Sequence, residues 1–499
     1  MDSMGGSYWE TEPSGPSRPG TVRLTLPDLD LDLATDHGVF ARSGVDRGTH
    51  LLLRRAPVPA PRTSVLDLGT GYGPIALATA LRQPHAGVWA VDVNRRALAL
   101  TLANAAHLGQ SAGPLHPGSV HPGSVHPAGL DNLLVAEPAE VPPAVRFDGL
   151  YSNPPIKIGK QALHDLLVSW LARLLPGSPA WLVVKQAMGA DSLQTWLDSH
   201  SFPTRRVASK QGYRLLRVTT PGTPPAPLAE EDLAAVTART GVSWTVLGRL
   251  AGGFSDDTFL LGRGAVRAVL KIKTGEGWPD QLDRLLPVVT KLRALGYPTP
   301  EVLGAGPLTA ERSFLMTAWS SGASPDPANR AQLDALLAAA ELHREVHPPP
   351  ERDWSAMVTQ FLNGGISEHE FHPSLAAYTR RALALVPKPV PSLPTGDLVH
   401  GDLTFRNTLF DGSDLRAVID LEGFGAGTVA IDLVSLLSGL TDPADQRVVL
   451  DRAVELSGPD VVAACLAHRV LAGLAWASEH PGLLPGAGER AERLLALAD

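Results

Sequence analysis

Val65-Leu-Asp-Leu-Gly-Thr-Gly-Tyr-Gly73 runs from an apolar β pattern into three alternating glycines, and Pro74-Ile-Ala-Leu-Ala-Thr-Ala80 opens a helix behind them. A strand, a Gly-rich turn and a helix make the ligand-binding corner of an α/β sheet, where glycines at 69, 71 and 73 let backbone approach a ligand. Working outward, apolar strand patterns occur at Ser64–Leu68, Val88–Val93, Phe147–Ser152 and Trp181–Lys185. Amphipathic stretches separate them, such as Gln161–Leu175. This alternation predicts an α/β domain with a mostly parallel sheet. The segment 204–218 predicts an antiparallel pair around a Lys-Gln-Gly turn, closing that sheet.

Spacing narrows the ligand. The second strand ends at Asp92, placed to take the two hydroxyls of a ribose. The third glycine comes one residue earlier than in the Gly-x-Gly-x-x-Gly pyrophosphate fingerprint, which favours a nucleoside cofactor without phosphate. At the end of the third strand stands Asn153-Pro154-Pro155. An exocyclic amine on a base is a poor nucleophile because its lone pair is delocalised. The Asn153 side-chain carbonyl and the Pro154 backbone carbonyl can each accept one amine hydrogen, localising that lone pair toward a methyl-bearing sulfur. Prolines hold the acceptors in place before substrate arrives.

The chain of 499 residues is too long for one ordinary core. Thr219–Leu228, rich in proline and without periodicity, is the expected linker. The expected organisation is a disordered lead-in over 1–20, a first domain over 21–218, a linker over 219–229 and a second domain over 230–499. The net charge of −8 is unevenly shared: residues 1–220 carry 20 basic and 17 acidic side chains, and residues 221–499 carry 23 and 34. The first part could meet a polyanion; the second suits a cationic ligand. The single cysteine, Cys465, excludes an intrachain disulfide, is expected in a helical core, and fits a reducing cytoplasm. No run reads as long and apolar enough to cross a bilayer, so no membrane partner is expected. His116-Pro-Gly-Ser-Val repeats at His121 and decays at His126, and reads as an expanded surface loop rather than a metal site.

Asp36-His-Gly-Val-Phe-Ala-Arg-Ser-Gly-Val-Asp-Arg-Gly-Thr49, then the glycine turn, then Ser152-Asn-Pro-Pro-Ile156, then Lys210-Gln-Gly-Tyr-Arg-Leu-Leu-Arg-Val218 resemble, in order, the small-domain methyltransferases of the ribosomal RNA small-subunit methyltransferase C type. The resemblance covers about 20–218. It implies a class I, Rossmann-like sheet of seven strands and S-adenosylmethionine held by Asp67, Gly69, Gly71, Gly73 and Asp92, with Asn104 nearby. It also implies an amine clamp at Asn153, Pro154 and Pro155, and guanine N2 of ribosomal RNA in the small subunit as the target. Two positions depart from the pattern. Asp131 is the nearest acid for reading the adenine amine, and Ile156 offers the base an aliphatic face where relatives have an aromatic. Arg205, Arg206, Lys210, Arg214 and Arg217 form a basic cluster that could meet phosphates or simply face solvent.

A second chemistry lies downstream. Val399-His-Gly-Asp402-Leu-Thr-Phe-Arg-Asn407 is followed, beyond an apolar strand, by Val418-Ile-Asp420. Phosphoryl transfer needs a carboxylate to take the proton of a hydroxyl, which suits Asp402, and oxygen ligands for Mg²⁺, which suit Asn407 and Asp420. Upstream, Lys271 ends a strand and suits the ATP triphosphate, with Lys273 as a fallback. The turn Leu250–Asp257, through Gly253 and Ser255, can lie over the nucleotide. These residues, with His343, Glu422 and Asp432, resemble the aminoglycoside phosphotransferase and choline kinase-like family over about 240–440. The resemblance implies a kinase-like α+β fold, ATP, Mg²⁺ and a hydroxylated, often cationic small substrate. The glutamate that would pair with the lysine is absent from the next helix, where Asp283 is the only acid within 281–295. Three readings remain open: two enzymes in one chain, a methyltransferase with a non-catalytic ligand-binding module, or two-step modification of one antibiotic-like small molecule.

Overall fold

The structure, a computed structural model, describes residues 10–13, 15–110, 126–127, 130–251, 257–275, 277–344, 346–347 and 352–497. The chain packs into two compact units, one reaching to Gly275 and including Leu303–Thr317, the other formed by Glu276–Val302 and the residues from Ala318 onward. This division does not coincide with the segment 219–229 expected as the linker.

In the first unit a hairpin of β1 (Gly20–Thr25) and β2 (Asp30–Thr35) precedes α1 (Arg47–Arg55), β3 (Ser64–Leu68), α2 (Pro74–Arg82), β4 (Gly87–Val91) and α3 (Arg95–Gln110). Then come β5 (His126–Pro127), β6 (Leu133–Ala136), β7 (Val145–Arg146), β8 (Gly149–Ser152), α4 (Lys160–Leu171), β9 (Pro179–Lys185), α5 (Ala190–Ser199), β10 (Thr204–Lys210) and β11 (Tyr213–Thr219). Eight strands form one sheet in the order β10-β11-β9-β8-β3-β4-β6-β5. The pairs from β9 to β6 are parallel, and β11, β10 and β5 are antiparallel additions. The expected α/β class and the closing antiparallel pair are therefore present, with eight strands rather than seven. The extra strand, β5, falls at the third histidine of the repeat; the rest of that repeat lies outside the described residues.

β3 and β4 are buried along their whole length, as strands covered on both faces must be. The β1–β2 hairpin instead alternates, with Leu24 and Leu33 buried in the same core as Val65, Leu77 and Val88. The lead-in is fastened over its described part. Ser17 Oγ donates to Asp36 at 2.6 Å, and the Thr11 carbonyl accepts from the Arg95 backbone N–H at 3.1 Å.

The same unit continues through α6 (Glu230–Thr240), β12 (Thr245–Leu250), β13 (Asp257–Arg263) and β14 (Val266–Thr274). After α7 (Trp278–Ala294), which belongs to the second unit, β15 (Val302–Pro307) and β16 (Arg312–Ala318) complete a six-stranded sheet, β15-β16-β14-β13-β12-β7. Its last strand, β7, comes from the first domain: Arg249 pairs with Arg146 and Leu250 with Val145. The seam is close. A Cβ on Gly87 would run into the Val246 carbonyl, and a Cβ on Gly248 would lie 2.7 Å from Val145. The Leu247 carbonyl accepts from both the Ser64 hydroxyl (2.6 Å) and the fully buried Trp89 indole N–H (2.7 Å). Phe259, Leu261, Leu270, Phe314 and Met316 form a core of their own on this second sheet.

The second unit is mainly helical: α8 (Arg330–Arg344), α9 (Trp354–Asn363) and α10 (Ala376–Leu385) precede two small two-stranded sheets. These pair β17 (Asp397–Val399) with β20 (Gly425–Gly427), and β18 (Thr408–Asp411) with β19 (Asp414–Val418). The chain ends in α11 (Ala430–Leu437), α12 (Pro443–Ser457), α13 (Pro459–Glu479) and α14 (Leu484–Leu495). One expectation is corrected here. α13 has 21 residues and is long and apolar enough to cross a membrane, and half of its most apolar stretch is buried against the protein. Its many alanines hide that apolar length in the sequence. Cys465 sits on it, buried, with its thiol pushed up to about 12 by that burial.

Candidate active sites

The C-terminal ends of β3, β4, β6 and β8 open on one cleft. Gly69, Gly71, Asp92 and Asn94 line one part of it; Asn153, Pro154 and Pro155 line another. Gly71 has φ 60°, and the position of a Cβ there faces open space. Its N–H donates to Asp92 Oδ2 at 2.9 Å, and the Asn94 N–H donates to Oδ1 at 2.9 Å. Burial raises the Asp92 carboxyl above the usual carboxylate range, against the pull of these backbone bonds. A cradle of small residues beside a carboxylate at a strand end fits a nucleoside with free ribose hydroxyls.

Asp67 and Asn104 do not line the cleft. Asp67 is buried and accepts from Thr70 Oγ1 (2.7 Å) and from the Ala76 N–H (3.0 Å), fastening the glycine turn to the start of α2. Burial lifts its carboxyl to about 7, with the two hydrogen bonds pulling down and Asp92 pushing up. The Asn104 amide donates to the Tyr72 (2.9 Å) and Ala34 (3.0 Å) carbonyls and accepts from the Ala34 N–H (2.7 Å), tying α3 to the turn and to β2. Gly73 lies against Leu77 and Thr101, at the helix packing rather than the cleft. Asp131 precedes β6, at the end of the sheet away from the cleft; Pro138, just beyond the strand, lines the cleft instead. Ile156 is not among the lining side chains, whereas Phe40, 38% exposed, is. An aromatic side chain thus lines the cleft from the segment before α1.

Asn153 is held by residues to which the sequence assigned no role. Its amide nitrogen donates to Asp46 Oδ2 (2.9 Å) and Thr49 Oγ1 (3.2 Å). A carboxylate only accepts, so this pair fixes which end of the amide points where, and leaves the carbonyl oxygen for the cleft. Asp46 is also the N-cap of α1, accepting from the Gly48 N–H at 2.7 Å, and its Oδ1 accepts from the Tyr213 hydroxyl at 2.8 Å. The helix lies on β9 and β11, which brings the cap to the end of β8. The signal in the sequence is the Asp-Arg-Gly-Thr segment at 46–49 and the Tyr at 213, which carry the resemblance but no chemistry of their own.

Lys271 lies on β14, half-buried, with its backbone opposite Thr258, and Lys273 is buried. Gly253 and Ser255 lie outside the described residues. In the second unit Asp402, Asn407 and Asp420 come together. Asn407 Nδ2 donates to the Asp402 backbone carbonyl (2.9 Å) and to its Oδ2 (3.1 Å), which leaves the Asn407 side-chain oxygen for a hard cation. The Ile419 N–H donates to the Asn407 carbonyl at 2.8 Å and sets Asp420 beside it. Asp420 has φ 67°, a left-handed conformation that an aspartate holds at some cost. No group of three His, Cys, Asp or Glu able to hold a metal occurs among the described residues; a cation carried by a triphosphate needs fewer protein ligands.

The loop is hung from one buried carboxylate. Asp432 accepts the backbone N–H groups of His400 (2.7 Å) and Gly401 (2.8 Å) and meets His343 Nε2 at 3.2 Å, with both side chains fully buried. Burial pushes the Asp432 carboxyl up, but the His343 bond and the charge of His343 and His400 outweigh it and leave it below the usual range. Asp283, the only acid expected near the lysine partner position, is exposed on α7.

Residues 30–217 match the family model of the methyltransferase small domain, and residues 246–465 match that of the phosphotransferase enzyme family. The chain joins these two domains. A Bacillus subtilis relative described as uncharacterized protein YbxB is 27% identical over 214 residues, covering 43% of this chain and 98% of that protein. A ribosomal RNA small subunit methyltransferase C from Shewanella is 30% identical over 165 residues, or 32% of this chain. The chain spans 42% of that relative's length. Among solved structures, a T. thermophilus 16S rRNA N2-guanine methyltransferase in complex with AdoMet and guanosine is 22% identical with a TM-score of 0.32, covering 42% of this chain and 52% of that one. A thermostable aminoglycoside phosphotransferase mutant is 17% identical with a TM-score of 0.42, covering 53% and 99%. Within the chain, the methyltransferase domain thus carries the Asp92 and Asn153 cleft, and the phosphotransferase domain carries Lys271 and the Asp402 loop.

Proposed function

We propose that the methyltransferase domain transfers a methyl group from S-adenosylmethionine to guanine N2 of small-subunit ribosomal RNA. The observation that carries this reading is the Asn153 amide, whose nitrogen is tethered by Asp46 and Thr49 so that its oxygen faces the cleft holding Gly71 and Asp92. Asp92 takes the ribose hydroxyls, Gly69 and Gly71 let the cofactor lie against backbone, and Pro155 and Phe40 bound the target side. The cofactor supplies an electrophilic methyl carbon. Asn153 Oδ1 and the Pro154 carbonyl accept the amine hydrogens and hold the nitrogen lone pair in line. Full chain with labelled cofactor and undermethylated small subunits should give a methylated guanine. Asn153→Ala should abolish transfer while cofactor affinity stays nearly the same. Retained transfer in that variant would remove the clamp from the mechanism.

The phosphotransferase domain is, in the same reading, an ATP- and Mg²⁺-dependent enzyme acting on a hydroxylated small molecule. Asp402 would accept the hydroxyl proton, Asn407 and Asp420 would hold the metal, and Lys271 the triphosphate. The Asp432 anchor favours catalysis over a binding-only module, because it fixes the backbone of the residues flanking the base.

A further inference from the structure

The acidic balance of residues 221–499 favours a cationic acceptor, but the charge beside Asp402 has the opposite sign. Arg469, on α13, donates through Nη1 to Asp402 Oδ1 at 3.1 Å. Asn407 holds the other oxygen, so both are engaged. Arg406, in the same loop, is exposed and has no acid partner among the described residues. Arg490, on α14, lies close enough to Arg406 and Arg493 that burial and their charges depress its own proton affinity, with only Glu489 opposing. It too has no ion pair among the described residues. Glu492, the other acid on α14, is held by Arg381 at 2.7 Å. Arg406, Arg490 and Arg493 carry like charges that repel, opposed at Arg490 by Glu489, and an anion seated beside them would relieve part of that repulsion.

We propose that the phosphoryl acceptor carries a carboxylate or phosphate as well as its hydroxyl, and that Arg469 at the base, with Arg406 of the same loop, receives that anion. This rests on the phosphotransfer reading above. An acceptor hydroxyl placed on Asp402 lies within reach of Arg469. The anion draws the guanidinium away from Oδ1 and frees that oxygen for the hydroxyl proton. The acceptor oxygen then forms its bond to the γ-phosphorus as the bond from that phosphorus to the bridging oxygen breaks. The proton goes to Asp402, and the nucleoside diphosphate leaves.

The test uses the full chain and four hexoses that differ in charge: glucuronate, glucose 6-phosphate, glucose and glucosamine. Binding is measured by calorimetry with a non-hydrolysable ATP analogue and Mg²⁺, and transfer by ADP release and product mass with Mg·ATP. At least one anionic sugar should bind and react at least tenfold better than glucosamine, and the two anionic sugars tell carboxylate from phosphate. Arg469→Gln should erase that preference and leave nucleotide affinity unchanged, in a protein whose thermal midpoint is near that of the parent. Equal or absent binding of the anionic sugars overturns the proposal. So does an Arg469→Gln variant that weakens nucleotide binding instead, since the guanidinium would then serve the γ-phosphate. Anion binding that depends on Arg469 without any binding of Mg·ATP would leave the anion seat standing and remove the phosphotransfer reading.

Discussion

Replacing Asp46 by Ala takes away four hydrogen bonds to one carboxylate: those from the Gly48 and Thr49 N–H groups, the Asn153 amide and the Tyr213 hydroxyl. Loss of the helix cap costs about 1 kcal/mol. The two side-chain bonds, each to a charged acceptor, are worth about 1.5–3 kcal/mol apiece before relaxation. Stability should therefore fall by about 3 kcal/mol once water and Thr49 replace part of what is lost. The larger effect is kinetic. With Asp46 gone only Thr49 holds the Asn153 amide, which can turn its nitrogen toward the cleft and present a donor where an acceptor is needed. Misplacement of this kind lowers turnover by about a hundredfold, equivalent to about 2.7 kcal/mol of barrier. Asp46 does not line the cofactor side of the cleft, so the dissociation constant for S-adenosylmethionine should stay within about twofold. Single-turnover methyl transfer and calorimetry on the same preparation separate the two. Tyr213→Phe, which removes one bond and keeps the ring, should show a smaller loss in the same direction. An Asp46→Ala protein that is folded and retains more than half of the parental rate would refute the tether.

Three other expectations follow from the same geometry. Asp92→Ala should weaken S-adenosylmethionine binding about tenfold or more, and in the parent the affinity should fall on acidification at a higher pH than for an exposed carboxylate, because burial raises this group; calorimetry across pH checks both. Asp67 is raised to about 7 by burial, so its contribution to stability is fully present below about pH 4 and is lost as pH rises to about 7. Asp67→Asn should remove that slope in denaturant titrations, and parallel curves for the two proteins would count against it. Gly87→Ala should destabilise by about 1–3 kcal/mol, because a methyl group there meets the Val246 carbonyl and must push β12 away; an unchanged thermal midpoint would show that the seam is loose.

Much of the methyltransferase sheet was legible because its strands are short apolar runs between turn residues: β3 falls at Ser64–Leu68, as read from the pattern. The β1–β2 hairpin was not read, although its leucines alternate, because it follows a polar, proline-rich lead-in. Asn153 and Asp92 were legible as residue types at strand ends. Asp46 and Arg469 were not, since each acts on a partner 107 or 67 positions away in the chain and no local pattern marks it. Asp67 and Asn104 stood in the right segment but turn their polar atoms into the packing behind the glycine turn. Position in a motif tells which corner of the fold a residue occupies, and not which side of that corner its atoms face.

The strand pairing between β7 and β12 bears on how the protein ages in a cell. The stretch 221–227 is largely exposed and is an inviting place for a protease to cut. A cut there would not release a free methyltransferase. The two pieces would still share a sheet edge, the Trp89 and Ser64 bonds to Leu247, and the glycine contact at Gly87. They would behave as a split protein, migrating as two bands under denaturing conditions and as one particle otherwise. Turnover of either half would then await the unfolding of both.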